Sequence, residues 1–140
     1  MPFLEPRPAI TLTESDSERL TLLADQIRPR QPDVAAMLDS ELERAAVVAP
    51  QSMPGNTVTM RSQVVFGYGH SQRPHWLTLV YPGEADLDQK KISVATPVGA
   101  ALIGLAEGQS IGWTTASGEE RRITLHKVAW QPERAGHYDQ

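Results

Sequence analysis

The stretch KISVATPVGAALIGLAEGQSI, residues 91–111, decides the fold. Ile92, Ser93 and Val94 alternate apolar and polar side chains, the pattern of a half-buried strand. Thr96 follows as a helix N-cap, a position where a hydroxyl accepts a hydrogen bond from a backbone N–H of the first turn. Pro97 takes the first helical position, where a missing N–H costs nothing and the fixed φ already suits the helix. Val98, Ala101, Leu102 and Leu105 then repeat at helical spacing, and Gly108 closes the unit. A strand therefore feeds a short amphipathic helix lying beside a sheet.

Around this unit the apolar period is two. Residues 57–66 alternate through Val58, Met60, Val64 and Phe66, Gly67-Tyr68-Gly69 reads as a turn, and residues 76–81 form a second strand. Residues 82–90 are a charged loop. A fourth strand is expected over 110–115, a turn at Ser117-Gly118, and a fifth strand over 122–130. In that last strand Ile123, Leu125, Lys127 and Ala129 share one face, and Thr124, His126, Val128 and Trp130 the other. Closely spaced strands with one short helix predict a small antiparallel sheet wrapped on that helix.

The first third of the chain has helical period instead. Residues 1–12 hold three prolines and form an extended lead-in. Thr13 starts a helix over 14–27, with the acid Asp16 three residues on, Glu18 near the start, and Leu20, Leu23 and Ile27 on one stripe. Arg28-Pro29-Arg30-Gln31-Pro32 breaks it, because each proline disfavours helical backbone in its predecessor. Asp33 is the expected cap of a second helix with the stripe Val34, Leu38, Leu42 and Ala45, which Pro50 stops. On it Glu41 and Arg44 stand three apart and pair, a contact worth about 0.2–0.5 kcal/mol on a helix surface. The two helices make a short antiparallel hairpin, each roughly 20–25 Å long at about 1.5 Å per residue. Residues 49–56 are the linker. The fold class is α+β, divided as a lead-in and hairpin over 1–49 and a sheet domain over 50–140.

Composition narrows the chemistry. A chain of 140 residues with 40% hydrophobic residues can bury one core. The net charge of −4 speaks against a dedicated nucleic-acid domain with a global basic field, though a local basic patch stays open. Without cysteine, disulfides and thiolate chemistry are excluded. No run approaches the roughly 20 apolar residues of a membrane span. The start, Met1-Pro2-Phe3-Leu4-Glu5-Pro6-Arg7, lacks the regions of a signal peptide, so a cytoplasmic protein with no membrane partner is expected. Gly67-Tyr68-Gly69 lacks the third glycine of a dinucleotide loop, and Leu105-Ala106 replace the residues that would touch phosphate after Gly99 and Gly104. No Gly-x-Ser-x-Gly elbow is present. His70, His75, His126 and His137 show no metal-ligand spacing on one helix face. No cofactor, no metal and no catalytic residue are expected.

The run Lys91-Ile92-Ser93-Val94, then Thr96-Pro97 and Ala101-Leu102-Ile103-Gly104, resembles the C-terminal domain of the Gre transcription factors. Leu79-Val80-Tyr81-Pro82, the helix Pro97-Val98-Gly99-Ala100-Ala101-Leu102 and Gln131-Pro132-Glu133 narrow the resemblance to the regulator of nucleoside diphosphate kinase family, over about residues 11–138. It implies an FKBP-like sheet domain, binding to RNA polymerase, and a tied-down C-terminal end. It also implies that Ser93, Thr96 and Pro97 match the Gre segment that grips the polymerase rim. Gln109 stands where an aspartate is usual.

The departure from the Gre pattern lies at the hairpin tip. Gre factors carry two adjacent acids there that hold a magnesium ion and promote cleavage of backtracked RNA, which needs carboxylates converging to about 2.0–2.1 Å from the metal. Here the tip is basic and proline-bound, with Arg28 and Arg30 on it and Asp25 and Asp33 flanking it at opposite helix ends. The resemblance thus implies a non-catalytic binder of RNA polymerase that occupies the secondary channel, competes with Gre factors and does not cleave. Nucleic acid would be met only through the polymerase complex. The alternative is a regulator of nucleoside diphosphate kinase activity or level, with an indirect link to the kinase. A prolyl isomerase is a third reading, prompted only by the implied fold, and fold alone is weak evidence for function.

Overall fold

The computed structural model describes residues 3–5, 7–71 and 73–138, so Met1, Pro2 and Pro6 of the lead-in and the last two residues of the tail lie outside it. A short strand β1 (Thr11–Thr13) leads into helices α1 (Glu14–Ile27) and α2 (Pro32–Arg44), and strand β2 (Ala46–Val48) follows. The remainder is β3 (Gln63–Tyr68), β4 (Arg73–Val80), β5 (Lys91–Ser93), α3 (Pro97–Leu102), β6 (Ser110–Thr114) and β7 (Glu120–Trp130).

The hairpin forms where the local signals place it. The Asp16 N–H donates to Thr13 Oγ1 over 3.1 Å, so Thr13 caps α1. Asp33 does not cap α2. Gln31 is the N-cap, without a side-chain bond, and Pro32 is the first helical residue. Proline's fixed φ starts the helix two residues earlier than a capping Asp33 would, leaving Asp33 in the first turn, where its charge suits the dipole. Beyond α2 the chain adds β2, which pairs in parallel with β1 (Thr11 with Ala46, Thr13 with Val48) and closes the base of the hairpin.

The five-stranded sheet has the order β5-β4-β3-β7-β6. It is not wholly antiparallel: β5 runs parallel to β4, with Leu79 opposite Ile92. The intervening loop folds into two 3-10 turns, Pro82–Glu84 and Leu87–Gln89, and turns the chain twice before it rejoins the sheet. The first long strand is also shorter than its alternation suggested. Arg61 adopts φ 68°, and buried Ser62 accepts from the Thr59 N–H, so the chain turns before β3 begins at Gln63. Gly67 and Tyr68 belong to β3, and the turn starts at Gly69 with φ 73°.

Strict alternation fails in β7 because the register slips at His126. Phe66 pairs with Leu125, Val65 with Lys127 and Val64 with Val128. The extra residue of a bulge changes which face follows. Val128 therefore turns inward and is buried, while Lys127 is exposed. Helix α3 lies against the inner face, with Ala100, Ala101 and Leu102 fully buried. One continuous apolar cluster runs from Leu20, Leu23 and Leu38 of the hairpin to Leu79, Val94, Leu105 and Ile123 of the sheet region. Hairpin and sheet thus share a core.

Candidate functional site: the helix corner and the hairpin tip

Ser93, Thr96 and Pro97 form one corner, where β5 turns into α3. The Ala95 N–H donates to Ser93 Oγ over 2.9 Å. The Thr96 hydroxyl donates to the Ser93 carbonyl over 2.7 Å and accepts from the Gly99 N–H over 3.1 Å. Both hydroxyls are thus used to fix the corner itself, and the Pro97 ring is left exposed on it. Gly99 lets the helix come this close: a Cβ there would stand 2.4 Å from the Ser93 carbonyl oxygen and 2.8 Å from Val94 Cα. Contacts under about 3.0 Å with backbone demand movement, so the corner depends on glycine.

The hairpin tip lies beside this corner. Gln31 Nε2 donates to the Ala95 carbonyl over 3.2 Å. Arg30, Asp33, Val34 and Met37 line one cleft of about 610 Å³ together with Pro97 and Trp113. Pro97 of the corner and Arg30 and Asp33 of the tip, nominated separately, therefore face a common space, whereas Ser93 and Thr96 do not line it.

Asp25 and Arg28 stand outside that lining, in an ion-pair cluster. The Arg28 guanidinium approaches Asp39 at 2.6 Å and Asp25 at 3.0 Å, tying the end of α1 to α2. The Asp39 carboxylate first, then Asp25, raises the Arg28 pKa further above its ordinary value. Asp39 was not singled out in the sequence, because its partner lies across the hairpin and no local spacing marks it. Among the described residues, no three His, Asp or Glu side chains stand close enough to share a metal ion.

Two buried acids hold the hairpin root. Asp16 is buried beyond its capping turn, and its carboxylate accepts from the Met60 N–H at 3.1 Å and the Tyr81 hydroxyl at 3.3 Å. Burial raises its pKa more than these bonds lower it. Glu41 is fully buried and pairs with Arg44 at 2.6 Å, while Arg44 also donates to the Pro8 carbonyl. Burial pushes the Glu41 carboxyl up to about 7, against the lowering pull of Arg44. This pair is an interior contact of the lead-in, not the solvated surface pair its spacing suggested. The C-terminal end is anchored by Gln131, fully buried, whose Nε2 donates to the Pro54 and Thr57 carbonyls at 2.9 and 2.7 Å.

Residues 8–48 match the family described as Rnk N-terminus, and residues 53–129 match Transcription elongation factor, GreA/GreB, C-term. The chain is 37% identical over 132 residues to the Regulator of nucleoside diphosphate kinase of Escherichia coli K12, covering 94% of this chain and 97% of that protein. The chain belongs to the regulator of nucleoside diphosphate kinase family. Its fold is Gre-like: a prokaryotic transcription elongation factor GreA/GreB from Nitrosomonas europaea superposes with a TM-score of 0.68 at 38% identity, over 86% of this chain and 99% of that one. The elongation factor GreA of Nitrobacter winogradskyi is 28% identical over 96 residues, and the chain spans 60% of its length. These relatives are named as a regulator and as elongation factors, not as enzymes. Among the described residues, no helix is long and apolar enough to cross a membrane.

Proposed function

We propose that this chain is a non-catalytic regulator of transcription that binds RNA polymerase in the cytoplasm, occupies its secondary channel and competes there with Gre factors without promoting cleavage. Residues 50–140, an FKBP-like sheet domain in this reading, act as the grip through Ser93, Thr96 and Pro97. Residues 1–49 act as a short plug. The observation that carries the reading is the junction of a rigid Thr96-Pro97 corner with a tip at which Arg28 already engages Asp25, while Asp33 stands apart from it in the cleft beside Pro97. Asp25 and Asp39 are held by the Arg28 guanidinium at 3.0 and 2.6 Å. One guanidinium bridging two carboxylates of different helices leaves neither as part of an adjacent, open ligand pair for magnesium. The hairpin is also short, its 14-residue first helix spanning about 21 Å at about 1.5 Å per residue.

Co-purification with core RNA polymerase tests the grip. Thr96→Ala combined with Pro97→Ala should abolish it, and undiminished binding by the double variant would move the grip elsewhere. Incubation with backtracked complexes tests the chemistry, where shortened transcripts would overturn the non-catalytic assignment. A second reading is favoured by the name of the 37% identical relative: regulation of nucleoside diphosphate kinase activity or level away from the polymerase. Stimulation or inhibition of purified kinase by this chain alone would favour it.

A further inference from the structure

The sheet face turned away from α3 carries a pattern that the channel reading does not use. Strand register places Lys91, Thr78, Gln63 and Trp130 in one row across β5, β4, β3 and β7, and Trp76, Val65 and Lys127 in the next. Further along β7, Arg122 stands on the same face opposite Gly112. The alternate residues, Leu77, Val64, Val128 and Leu125, are buried against the core. Trp76 is 51% exposed, and Lys90 Nζ sits 4.9 Å from its ring centroid. The chain has just three lysines, Lys90, Lys91 and Lys127, and all three belong to this face or its margin. The acids nearby edge the face rather than cross it: Glu107 accepts from the Val128 N–H at 2.8 Å, next to Lys127, and Asp86 is bridge-paired with Lys91. Glu120 lies at the far end of β7, and Asp86 and Asp88 lie in the loop before β5.

We propose that this face binds single-stranded nucleic acid, with Lys90, Lys91, Lys127 and Arg122 on phosphates and the Trp76 indole stacked on a base. Two features favour that occupant over an acidic protein. The cations are spread rather than focused: Lys91 and Lys127 are separated by three inter-strand steps of about 4.8 Å and one row of about 6.7 Å, roughly 16 Å on the diagonal, which suits a chain of phosphates. The exposed indole among ammonium groups offers a flat π-face, and base stacking on such a ring is sequence-tolerant because every base has one. In the free protein Lys90 takes the place over the ring through a cation–π contact. A base arriving there displaces the ammonium toward the neighbouring phosphate. The chain's net charge of −4 does not prevent this, since the contact is local and the Debye length at physiological salt is about 8 Å.

The test is fluorescence anisotropy of a short labelled oligouridine with the full chain, at several salt concentrations and with no polymerase present. Binding should weaken with salt, with a log–log slope near −3, from about −0.7 for each of four phosphate contacts. Trp76 emission should be quenched on binding. Trp76→Ala and Lys127→Glu, both at exposed positions, should each weaken binding about tenfold, a stacking or charge loss of ordinary size. Absence of binding at low salt overturns the proposal, as does binding that both variants retain. Displacement of the oligouridine by polyglutamate at equal charge concentration, with Trp76→Ala harmless, would assign the face to an acidic protein and overturn it as well. Because polymerase is absent, failure here leaves the corner at Pro97 untested rather than refuted.

Discussion

Gly99→Ala is the substitution whose consequence the geometry states most sharply. Gly99 sits in α3 with ordinary negative φ, so alanine meets no conformational penalty there. By helix propensity alone the change should stabilise by up to about 1 kcal/mol. The added methyl, however, would lie 2.4 Å from the Ser93 carbonyl oxygen and 2.8 Å from Val94 Cα. Normal carbon contacts are about 3.5–4.0 Å, so the helix and the β5 exit must separate by about 1 Å. Both obstacles are backbone, and Ala100, Ala101 and Leu102 on the same helix are fully buried, so separation disturbs a packed core. Overpacking of this kind costs about 1–3 kcal/mol, which outweighs the propensity gain. Urea unfolding should show the variant less stable by about 1–2 kcal/mol net, with unchanged slope. The comparison is Gly108→Ala, where space is open and only the φ of 88° resists. A Gly99→Ala protein as stable as the native chain would refute the close-approach argument and with it the rigid corner.

Three further outcomes follow from buried polar groups. Asp16→Leu leaves the Met60 N–H and the Tyr81 hydroxyl without their acceptor, and chemical denaturation should show a loss of about 2–4 kcal/mol from these unsatisfied donors. Gln131→Ala frees the Pro54 and Thr57 carbonyls and should cost about 1–3 kcal/mol, with amide exchange accelerating first in the C-terminal end. The third concerns pH. The folded Glu41 carboxyl is raised to about 7 from an ordinary 4.5, so the folded state binds its proton more tightly than the unfolded state does. Its contribution is therefore most favourable below about 4.5 and declines as pH rises to about 7, by about 3 kcal/mol in all. Asp16, also raised by burial, acts in the same direction. Unfolding free energy measured between pH 5 and pH 8 should fall with pH, and Glu41→Gln should flatten that slope.

The parts of the fold legible in sequence were those settled by neighbours in the chain. Thr13 and Thr96 cap their helices through bonds spanning three residues, so composition alone marks them. What escaped depends on partners far away. Strands β1 and β2 have three residues each and exist only because the hairpin brings them side by side. The parallel placement of β5 depends on how the 3-10 turns redirect the chain, and the inward Val128 depends on a bulge relative to β3. At the site, Thr96 and Pro97 were legible because a cap has a local signature. The sequence could not show Arg28 tied to Asp39, nor that Arg30, Asp33 and Pro97 line one cleft, since these are contacts between elements. Asp33 was misplaced as a cap because Pro32 supplies a competing start signal one residue earlier.

The most direct test of the central claim is competitive binding to core RNA polymerase between this chain and a Gre factor. The account predicts that labelled chain bound to polymerase is displaced by increasing Gre factor to completion, and that Pro97→Ala shifts the displacement curve to lower Gre concentration. Stable ternary binding of both proteins at saturation, with the curve unmoved by Pro97→Ala, would contradict it.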